Sequence, residues 1–250
     1  MTSTPPDTSR EPYRSQPVSF IRRSNRMGDR QQRAWDQLHA RFVIDVPRAE
    51  HSTSVHPEFR FDAAQSFGRA APLVVEVGIG MGDALVNAAH DHPGTDFLAI
   101  DVHRPGLAQT LLQMRSRELT NIRLVQANAV VVLSTMIEAT TVDELWAFFP
   151  DPWHKSRHHK RRLVTPSFAS TAARVLRPGG MLRLATDWEP YAEQMREVFD
   201  AALEFDRSWE LAGEPWAPRF DGRLLTRFEK KGITRGRQIR DLAYVRRPVP

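Results

Sequence analysis

The sequence predicts an α/β fold in which a mostly parallel sheet is covered by helices on both faces. From Leu73 onward, segments of strand length alternate with segments of helical length, and this alternation is typical of parallel sheets. The chain has 250 residues, of which 41% are hydrophobic, so it can bury a full core. We expect a single domain over residues 31–250, preceded by an arm.

The arm and the first helix differ in composition. Residues 1–30 are rich in proline, serine, threonine and arginine and contain few apolar side chains. Such a segment buries too little surface to fold alone, so we predict a flexible basic arm and leave open whether it orders on a partner. Trp35, Leu38, Phe42 and Val43 then lie at helical spacing and predict an amphipathic helix that leads into the domain.

The remaining predicted elements follow in order along the chain. The strands cover residues 73–77, 97–101, 122–127, 145–149 and 181–185. The helices cover about 83–92, 106–118, 130–138, 166–176 and 190–203. Pro178 cannot continue a helix, and the glycines that follow it predict a tight turn into the last of these strands.

The net charge of +5 is unevenly distributed. Residues 152–186 contain eight lysines and arginines and no acids, whereas the rest of the chain has 27 basic and 30 acidic residues. Residues 1–33 and 219–247 are also basic, and residues 34–151 are acidic. This pattern predicts that a polyanion lies across one face and is held by phosphate contacts; a solvated basic surface is the alternative.

Several classes of protein are excluded or disfavoured by what the sequence lacks. There is no cysteine, so disulfides, thiolate metal sites and cysteine nucleophiles are excluded. No apolar stretch approaches the roughly 18 residues of a membrane span, and the first 33 residues lack the apolar centre of a signal peptide. His154, His158 and His159 are not at metal-ligand spacing. We therefore expect a soluble, cytoplasmic protein without a metal site and without membrane association.

A glycine-rich loop follows the first predicted strand. Gly78, Gly80 and Gly82 fall on alternate residues after Glu76, at the junction with a predicted helix. Glycines here let the backbone approach a ligand closely. The NAD fingerprint needs a glycine three residues after the second one, and a P-loop needs Gly-Lys followed by Ser or Thr, so neither pattern fits.

Polar residues also follow the next two strands. Asp101 ends the second strand, where a carboxylate can accept hydrogen bonds from both hydroxyls of a ribose. Asn128 follows the third strand and is placed to bind the edge of an adenine. Ordinary capping of loops is the alternative for both residues.

The segment 149–162 sets one carboxylate, Asp151, between two prolines and in front of a basic run. It follows the fourth strand, at the edge where open parallel sheets bind their ligands. The prolines restrict the backbone, so Asp151 is presented rigidly. Trp153 is a candidate for stacking on a base, or a core tryptophan.

Two resemblances connect these motifs. The E-x-G-x-G-x-G loop resembles that of class I methyltransferases that use S-adenosylmethionine. The segment F-P-D-P-W-H-K-S-R-H-H-K-R-R, with Thr186-Asp187 and the T-R-F-E of 226–229, resembles the bacterial tRNA (guanine-N7-)-methyltransferases, over about residues 70–247. The resemblance implies a Rossmann-like class I methyltransferase fold with a mostly parallel seven-stranded sheet.

The resemblance also implies roles for individual residues. The S-adenosylmethionine pocket would be lined by Glu76, Gly78, Gly80, Asp101, Asn128 and Asp151, of which Asp151 would also be catalytic. The target nucleotide would meet Lys155, Asp187, Thr226, Arg227, Phe228 and Glu229. The family usually has glutamate in place of Asp101 and often aspartate in place of Asn128, and both departures keep a hydrogen-bond acceptor.

The expected activity is methylation of N7 of a guanine in tRNA, the variable-loop guanosine at position 46, by direct in-line transfer. We expect the phosphates of the RNA backbone to bind Arg157, Lys160 and Arg161. Salt bridges to arginines such as Arg183 or Arg227 are the alternative for Asp187 and Glu229.

Three other functions stay open. The first is an exocyclic-amine methyltransferase, although Trp153 stands where that class has a second proline. The second is a pyrimidine C5 methyltransferase, which the absence of cysteine disfavours. The third is a catalytically inactive tRNA-binding protein on the same fold. The sequence leaves open whether the chain is a monomer or a homodimer.

Overall fold

The computed structural model describes residues 26–49, 51–209 and 214–248. Its strands are β1 Leu73–Val77, β2 Asp96–Asp101, β3 Ile122–Gln126, β4 Val142–Phe148, β5 Leu176–Thr186, β6 Phe205–Arg207 and β7 Arg240–Arg246. Its α-helices are α1 Asp29–Phe42, α2 Ala63–Phe67, α3 Asp83–Asp91, α4 Arg104–Ser116, α5 Ala129–Val131, α6 Pro166–Val175, α7 Glu189–Asp200 and α8 Arg227–Thr234. A π-helical turn, Val132–Met136, follows α5, and a 3₁₀ helix covers Ser156–Arg161.

The strands form one seven-stranded sheet with the order β3-β2-β1-β4-β5-β7-β6. The first five strands in this order are parallel to one another, and β7 is antiparallel to β5 and β6. The chain reverses its direction of winding between β1 and β4. In open parallel sheets this reversal opens a crevice at the carboxyl ends of the strands, which is where ligands bind.

Helices cover both faces of the sheet, as predicted. One apolar cluster packs α6 and α7 against the sheet and includes Phe168 and Phe199. The other packs α1, α3 and α4 against the opposite face and includes Trp35, Leu85 and Leu107. The prediction of a mostly parallel seven-stranded sheet with helices on both faces is therefore confirmed.

The first strand has the predicted bounds, and the regular ladder of β5 begins at the predicted Met181. However, β5 itself begins earlier, at Leu176, which pairs with Val142 before the ladder resumes between Met181 and Glu144. The residues predicted to form a turn before β5 therefore form a bulge inside that strand. Because Leu176 pairs with Val142, β4 also begins earlier than predicted, at Val142. Gly179 in this bulge has φ +76°, a left-handed conformation that glycine adopts without strain.

The prediction of one regular helix over residues 130–138 is wrong, because the segment is a short α-helix followed by a π-helical turn. Asn128 caps a short α5, and the chain then widens into a π-helical turn in which the Ile137 N–H donates to the Val132 carbonyl, 3.2 Å away. Three successive valines begin this segment, and branched side chains crowd a regular α-helix.

The strands β6 and β7 and helix α8 were not located from local patterns. The strand β6 has three residues, α8 contains few apolar side chains, and β7 begins and ends in charged residues, so local patterns did not separate them from loops. The predicted arm lies almost wholly outside the described residues. Within the described residues, no helix is long and apolar enough to cross a membrane.

Gly106 in α4 offers a test of how closely the glycine-rich loop packs on this helix. A methyl group at Gly106 would lie 2.0 Å from the carbonyl oxygen of Gly80. We therefore expect Gly106→Ala to lower the free energy of unfolding in urea by about 1–3 kcal/mol, although alanine favours helices.

Gly94→Ala is the matched control for this change. Gly94 is not in the left-handed region, and a methyl group there would meet no atom within 4 Å. Gly94→Ala should leave the free energy of unfolding within about 0.5 kcal/mol of that of the unchanged protein. Equal stability of the two variants would show that the loop does not press on α4.

Candidate active site

The polar residues singled out in the sequence gather at one rim of the sheet. Glu76 lies in β1, Asp101 ends β2, and Asn128, Asp151 and Asp187 follow β3, β4 and β5. Because these strands are parallel, their carboxyl ends share an edge. The topology alone therefore places these five residues along one rim of the sheet, to either side of the crevice between β1 and β4.

The glycine-rich loop lies at the carboxyl end of β1, and two of its three glycines border open space. Gly78, Gly80 and Gly82 have φ of +75°, +61° and +81°, so all three are left-handed. A methyl group on Gly78 or Gly80 would meet no atom within 4 Å, whereas one on Gly82 would lie 2.2 Å from Oγ1 of Thr110. The first two glycines thus border open space, and the third permits close packing of α4.

Asp101 braces this loop. Its Oδ2 accepts a hydrogen bond from the Gly80 N–H at 3.1 Å, and its Oδ1 accepts one from the His103 N–H at 2.8 Å. Burial raises the pKa of Asp101, and these backbone hydrogen bonds oppose the rise. The bracing contact to Gly80 was not predicted from the sequence. A carboxylate has about four acceptor positions, so Asp101 keeps the capacity to bind hydroxyl groups as well.

The carboxyl group of Glu76 is buried and incompletely paired. The residue is 3% exposed, and its Oε2 has no hydrogen-bond partner among the residues described. Burial, followed by the negative charge of Asp101, raises the pKa of Glu76 to about 8, and the Arg223 guanidinium opposes this rise. Burial and Asp101 together therefore favour the protonated form of this side chain near neutral pH.

Asn128 has the capping contacts that were the alternative interpretation. Its Oδ1 accepts hydrogen bonds from the N–H groups of Val130 at 2.9 Å and Val131 at 3.4 Å, at the start of α5. Its own N–H donates to the Thr53 carbonyl at 2.9 Å. These contacts hold the end of β3 in place.

The loop that carries Asp151 contains two unusual backbone conformations. Phe149 and Trp153 are left-handed, with φ of +54° and +44°, and neither is glycine. Such residues cost energy and are most common at functional sites. Asp151 lies between them and is exposed, and the Phe149 N–H donates to the Ala185 carbonyl of β5 at 2.8 Å. The prolines had predicted a rigid loop but not its left-handed residues.

The basic run divides into exposed and buried members. Lys155, Arg157 and Lys160 are exposed, whereas Arg162 is 2% exposed. Arg162 donates from Nε to the Pro152 carbonyl at 2.8 Å and from Nη1 to the Gln194 side chain at 2.5 Å. Arg162 therefore connects the Asp151 loop to α7. The sequence shows it only as one cation of the basic run, so this structural role was not predicted.

Trp153 is half-buried rather than a core residue. The guanidinium carbon of Arg161 lies 5.0 Å from the centre of its ring, within the range of a cation–π contact. Arg161 is thus less free to reach a partner than Arg157 or Lys160.

Asp187 and Glu229 both bind arginines, although not those named in the sequence analysis. Asp187 Oδ2 pairs with Arg237 at 2.6 Å, while Glu229 Oε1 pairs with Arg223 at 3.0 Å and with Arg219 at 3.2 Å. Glu229 is 1% exposed, so its carboxylate is enclosed by these partners.

The other members of the T-R-F-E motif lie at the start of α8. Thr226 caps the helix, because its Oγ1 accepts a hydrogen bond from the Glu229 N–H at 3.2 Å. The side chains of Arg227 and Phe228 lie outside the described residues. Arg183, named as an alternative partner, pairs with Glu144 at 2.8 Å instead.

The sequence is similar to those of known methyltransferases. A family model described as "Putative methyltransferase" matches residues 70–242. The tRNA (guanine-N(7)-)-methyltransferase of Paenarthrobacter aurescens is 45% identical over 94% of this chain and 93% of its own length. The protein of the same name from Cutibacterium acnes is 46% identical over 92% of this chain and 83% of its own.

A solved structure agrees on the fold. The 16S rRNA methyltransferase KamB superposes with a TM-score of 0.55, covering 82% of this chain and all of its own, at 17% identity. At that identity the likeness concerns the fold alone, and it confirms the predicted Rossmann-like architecture.

The raised pKa of Glu76 predicts how stability depends on pH. Protonation of Glu76 favours the folded state, because the pKa of this side chain is about 8 in the folded protein and 4.5 when the side chain is exposed to water. This contribution is complete below pH 4.5 and is lost as the pH rises through 8. Glu76→Gln should therefore raise the free energy of unfolding above pH 8 by up to about 5 kcal/mol, with the two curves converging in acid. A difference that is constant with pH, in urea unfolding of both proteins, would contradict the prediction.

Proposed function

Because the chain belongs to the tRNA (guanine-N(7)-)-methyltransferase family, we propose that its crevice between β1 and β4 holds the guanosine at position 46 of the tRNA variable loop. The protein is an S-adenosylmethionine-dependent enzyme that methylates N7 of guanine in tRNA. The observation that carries the assignment of the site is the unpartnered carboxyl oxygen of Glu76, beside an open glycine loop and on the rim that carries Asp151.

The residues present fit the cofactor. Glu76 offers a buried oxygen that lacks a partner, which suits the ammonium group of a methionine moiety. The open sides of Gly78 and Gly80 leave room for a ligand close to the backbone. Asp101 lies next to this loop, with acceptor capacity for ribose hydroxyls. S-adenosylmethionine, when bound, supplies an electrophilic methyl group on a sulfonium ion.

Asn128 and Asp151 complete the pocket in this proposal. Asn128 uses its Oδ1 to cap α5, so we assign it to holding the wall of the pocket at the end of β3 as well as to the adenine edge. Asp151 is exposed after β4, the strand next to β1, and in this proposal it faces both the cofactor and the incoming base.

The reaction requires positioning rather than proton removal. Guanine N7 has a lone pair and no proton, so no general base is needed for its attack on a methyl group. Asp151 holds the base in line by accepting hydrogen bonds from it, and its negative charge offsets the positive charge that develops on the ring. The left-handed Phe149 and Trp153 on either side fix the direction in which the carboxylate points.

Recognition of the target nucleotide is assigned to the rim beyond β5 and to α8. Lys155, Asp187 and the residues Thr226, Arg227, Phe228 and Glu229 surround the base in this proposal. Asp187 is a suitable acceptor for the N1 and N2 donors that guanine offers together. Glu229 is buried in the first turn of α8, so in this proposal it holds that turn in place beside the base.

The RNA backbone is assigned to the exposed cations beside the Asp151 loop. Arg157 and Lys160 extend from the 3₁₀ helix into solvent, and Arg161 adds its charge beside Trp153. A variable-loop base is accessible in folded tRNA, so recognition of RNA shape by phosphate contacts brings it to Asp151.

The remaining expectations stay proposals. No group of three or more metal-binding side chains occurs in the part of the chain that is described, and the reaction as derived needs no metal. We propose a cytoplasmic location, where tRNA is modified, and a monomer or homodimer.

The experiment that tests the function is to incubate the purified protein with labelled S-adenosylmethionine and an unmodified tRNA transcript. We expect one N7-methylguanosine, located at position 46 by chemical cleavage, and none in a transcript in which that guanosine is replaced by adenosine. Label in an exocyclic N-methyl nucleoside would instead support the alternative enzyme class. Absence of label together with tight tRNA binding would support an inactive RNA-binding protein.

Asp151→Asn tests the electrostatic role in the same assay. The change keeps the size of the side chain and removes its charge, so we expect turnover to fall by about 30- to 1,000-fold, equivalent to about 2–4 kcal/mol. Affinity for tRNA, measured by filter binding, should change little. Near-normal turnover would refute the role assigned to Asp151.

The salt dependence of tRNA binding tests the backbone contacts. In the variant Arg157→Ala with Lys160→Ala, the slope of log affinity against log salt should flatten by about 0.7–0.9 per lost phosphate contact. The matched control is Arg177→Ala with Arg247→Ala, because these exposed cations lie at the opposite rim of the sheet. Equal slopes for both double variants would contradict the proposed RNA surface.

A further inference from the structure

Arg223 is an arginine that neither the resemblance nor the proposed reaction uses, yet its side chain is fully buried. Its exposure is 0%, and it lies in the loop that precedes α8. Burial of a guanidinium costs several kcal/mol unless it is paired on several sides. The side chains that contact the Arg223 guanidinium therefore show how its burial is compensated.

Two acidic side chains hold Arg223 on one side. Both terminal nitrogens donate to the carboxylate of Asp241 in β7, with Nη2 lying 3.0 Å from Oδ2. Nη2 also lies 3.0 Å from Oε1 of Glu229 in α8. The guanidinium thus joins β7 to the first turn of α8.

Two aromatic rings pack on its other side. The guanidinium carbon lies 5.2 Å from the centre of the Phe148 ring and 5.4 Å from that of Phe149. These residues lead directly into the Asp151 loop. Asp241 of β7 pairs in register with Ala185 of β5, whose carbonyl accepts the Phe149 N–H, so both Asp241 and Phe149 are attached to β5 at the same residue.

The charge of Arg223 also reaches the cofactor pocket. It lowers the pKa of Glu76, against the effects of burial and of Asp101, which raise it. Arg223 is thus a cation that favours the ionised form of Glu76, and Asp101 is an anion that disfavours it. Its Nε is buried and has no acceptor among the described residues.

We propose that Arg223 is a positioning residue for methyl transfer, which fixes the Asp151 loop and the first turn of α8 relative to the carboxyl group of Glu76. The proposal rests on the function proposed above. Loss of the guanidinium releases the Phe148–Phe149 turn from α8 and β7, so Asp151 loses its alignment with the cofactor. It also removes the cation that favours the ionised form of Glu76, which the cofactor ammonium requires.

The test separates these effects in three variants. Arg223→Lys keeps the charge and loses the planar fork that binds Asp241 and Glu229 together. Arg223→Gln removes the charge. Arg219→Gln is the matched control, because Arg219 binds the same Glu229 but is 40% exposed, whereas Arg223 is fully buried beside Phe148 and Phe149.

The first measurement is the titration of Glu76 by NMR, with carbon-13 in the side-chain carboxyl groups of glutamate. The Glu76 signal is assigned by its absence in Glu76→Gln. We expect its midpoint to move to higher pH in Arg223→Gln and to stay near that of the unchanged protein in Arg223→Lys and Arg219→Gln. An unmoved midpoint in Arg223→Gln overturns the proposal, since a merely structural arginine would not change it.

The second measurement compares turnover with cofactor affinity. We expect Arg223→Lys to lower kcat on tRNA by about 10- to 100-fold, because small displacements of reacting groups have effects of this size. Its Kd for S-adenosylmethionine, from calorimetry, should stay within about threefold. Equal losses in Arg223→Lys and Arg219→Gln overturn the proposal. The NMR titration needs no tRNA, so it still tests Arg223 if the unchanged protein fails to make N7-methylguanosine.

Discussion

Burial of one incompletely paired carboxyl group, that of Glu76, is the constraint on which this site depends. A carboxyl group enclosed by a sheet is unstable as an anion unless a cation lies near it. Arg223 supplies that charge in part, and the glycine loop beside Glu76 leaves space for a ligand that supplies the rest. The pocket therefore favours a ligand with a positively charged end, and S-adenosylmethionine has one.

The sequence predicted the framework of the fold because its signals are local. The first strand has the predicted bounds, and Gly78 and Gly80 have the left-handed conformations that their loop requires. Parallel topology then brought Asp101 and Asp151 to one rim without further information. The π-helical turn after α5 was missed, because it arises from crowding among neighbouring side chains rather than from periodicity.

The contacts that hold the site together were not predictable in the same way. Asp101 braces Gly80, and Arg223 joins Asp241 to Phe149, across long separations in sequence. Such pairings depend on which side chains the folded chain brings together, and composition does not record them. The basic run shows the same limit, since Arg162 is buried against Pro152 while its neighbour Lys160 is exposed.

The position of β7 has a consequence for how the enzyme becomes competent. This strand inserts between β5 and β6 although it is synthesised after both of them. A nascent chain that has completed the glycine loop and the Asp151 loop still lacks the guanidinium of Arg223 and its anchor in β7. A chain that ends before β7 thus leaves β6 without its partner strand and Arg223 without Asp241, so the sheet and this buried ion pair form only when the last strand is present.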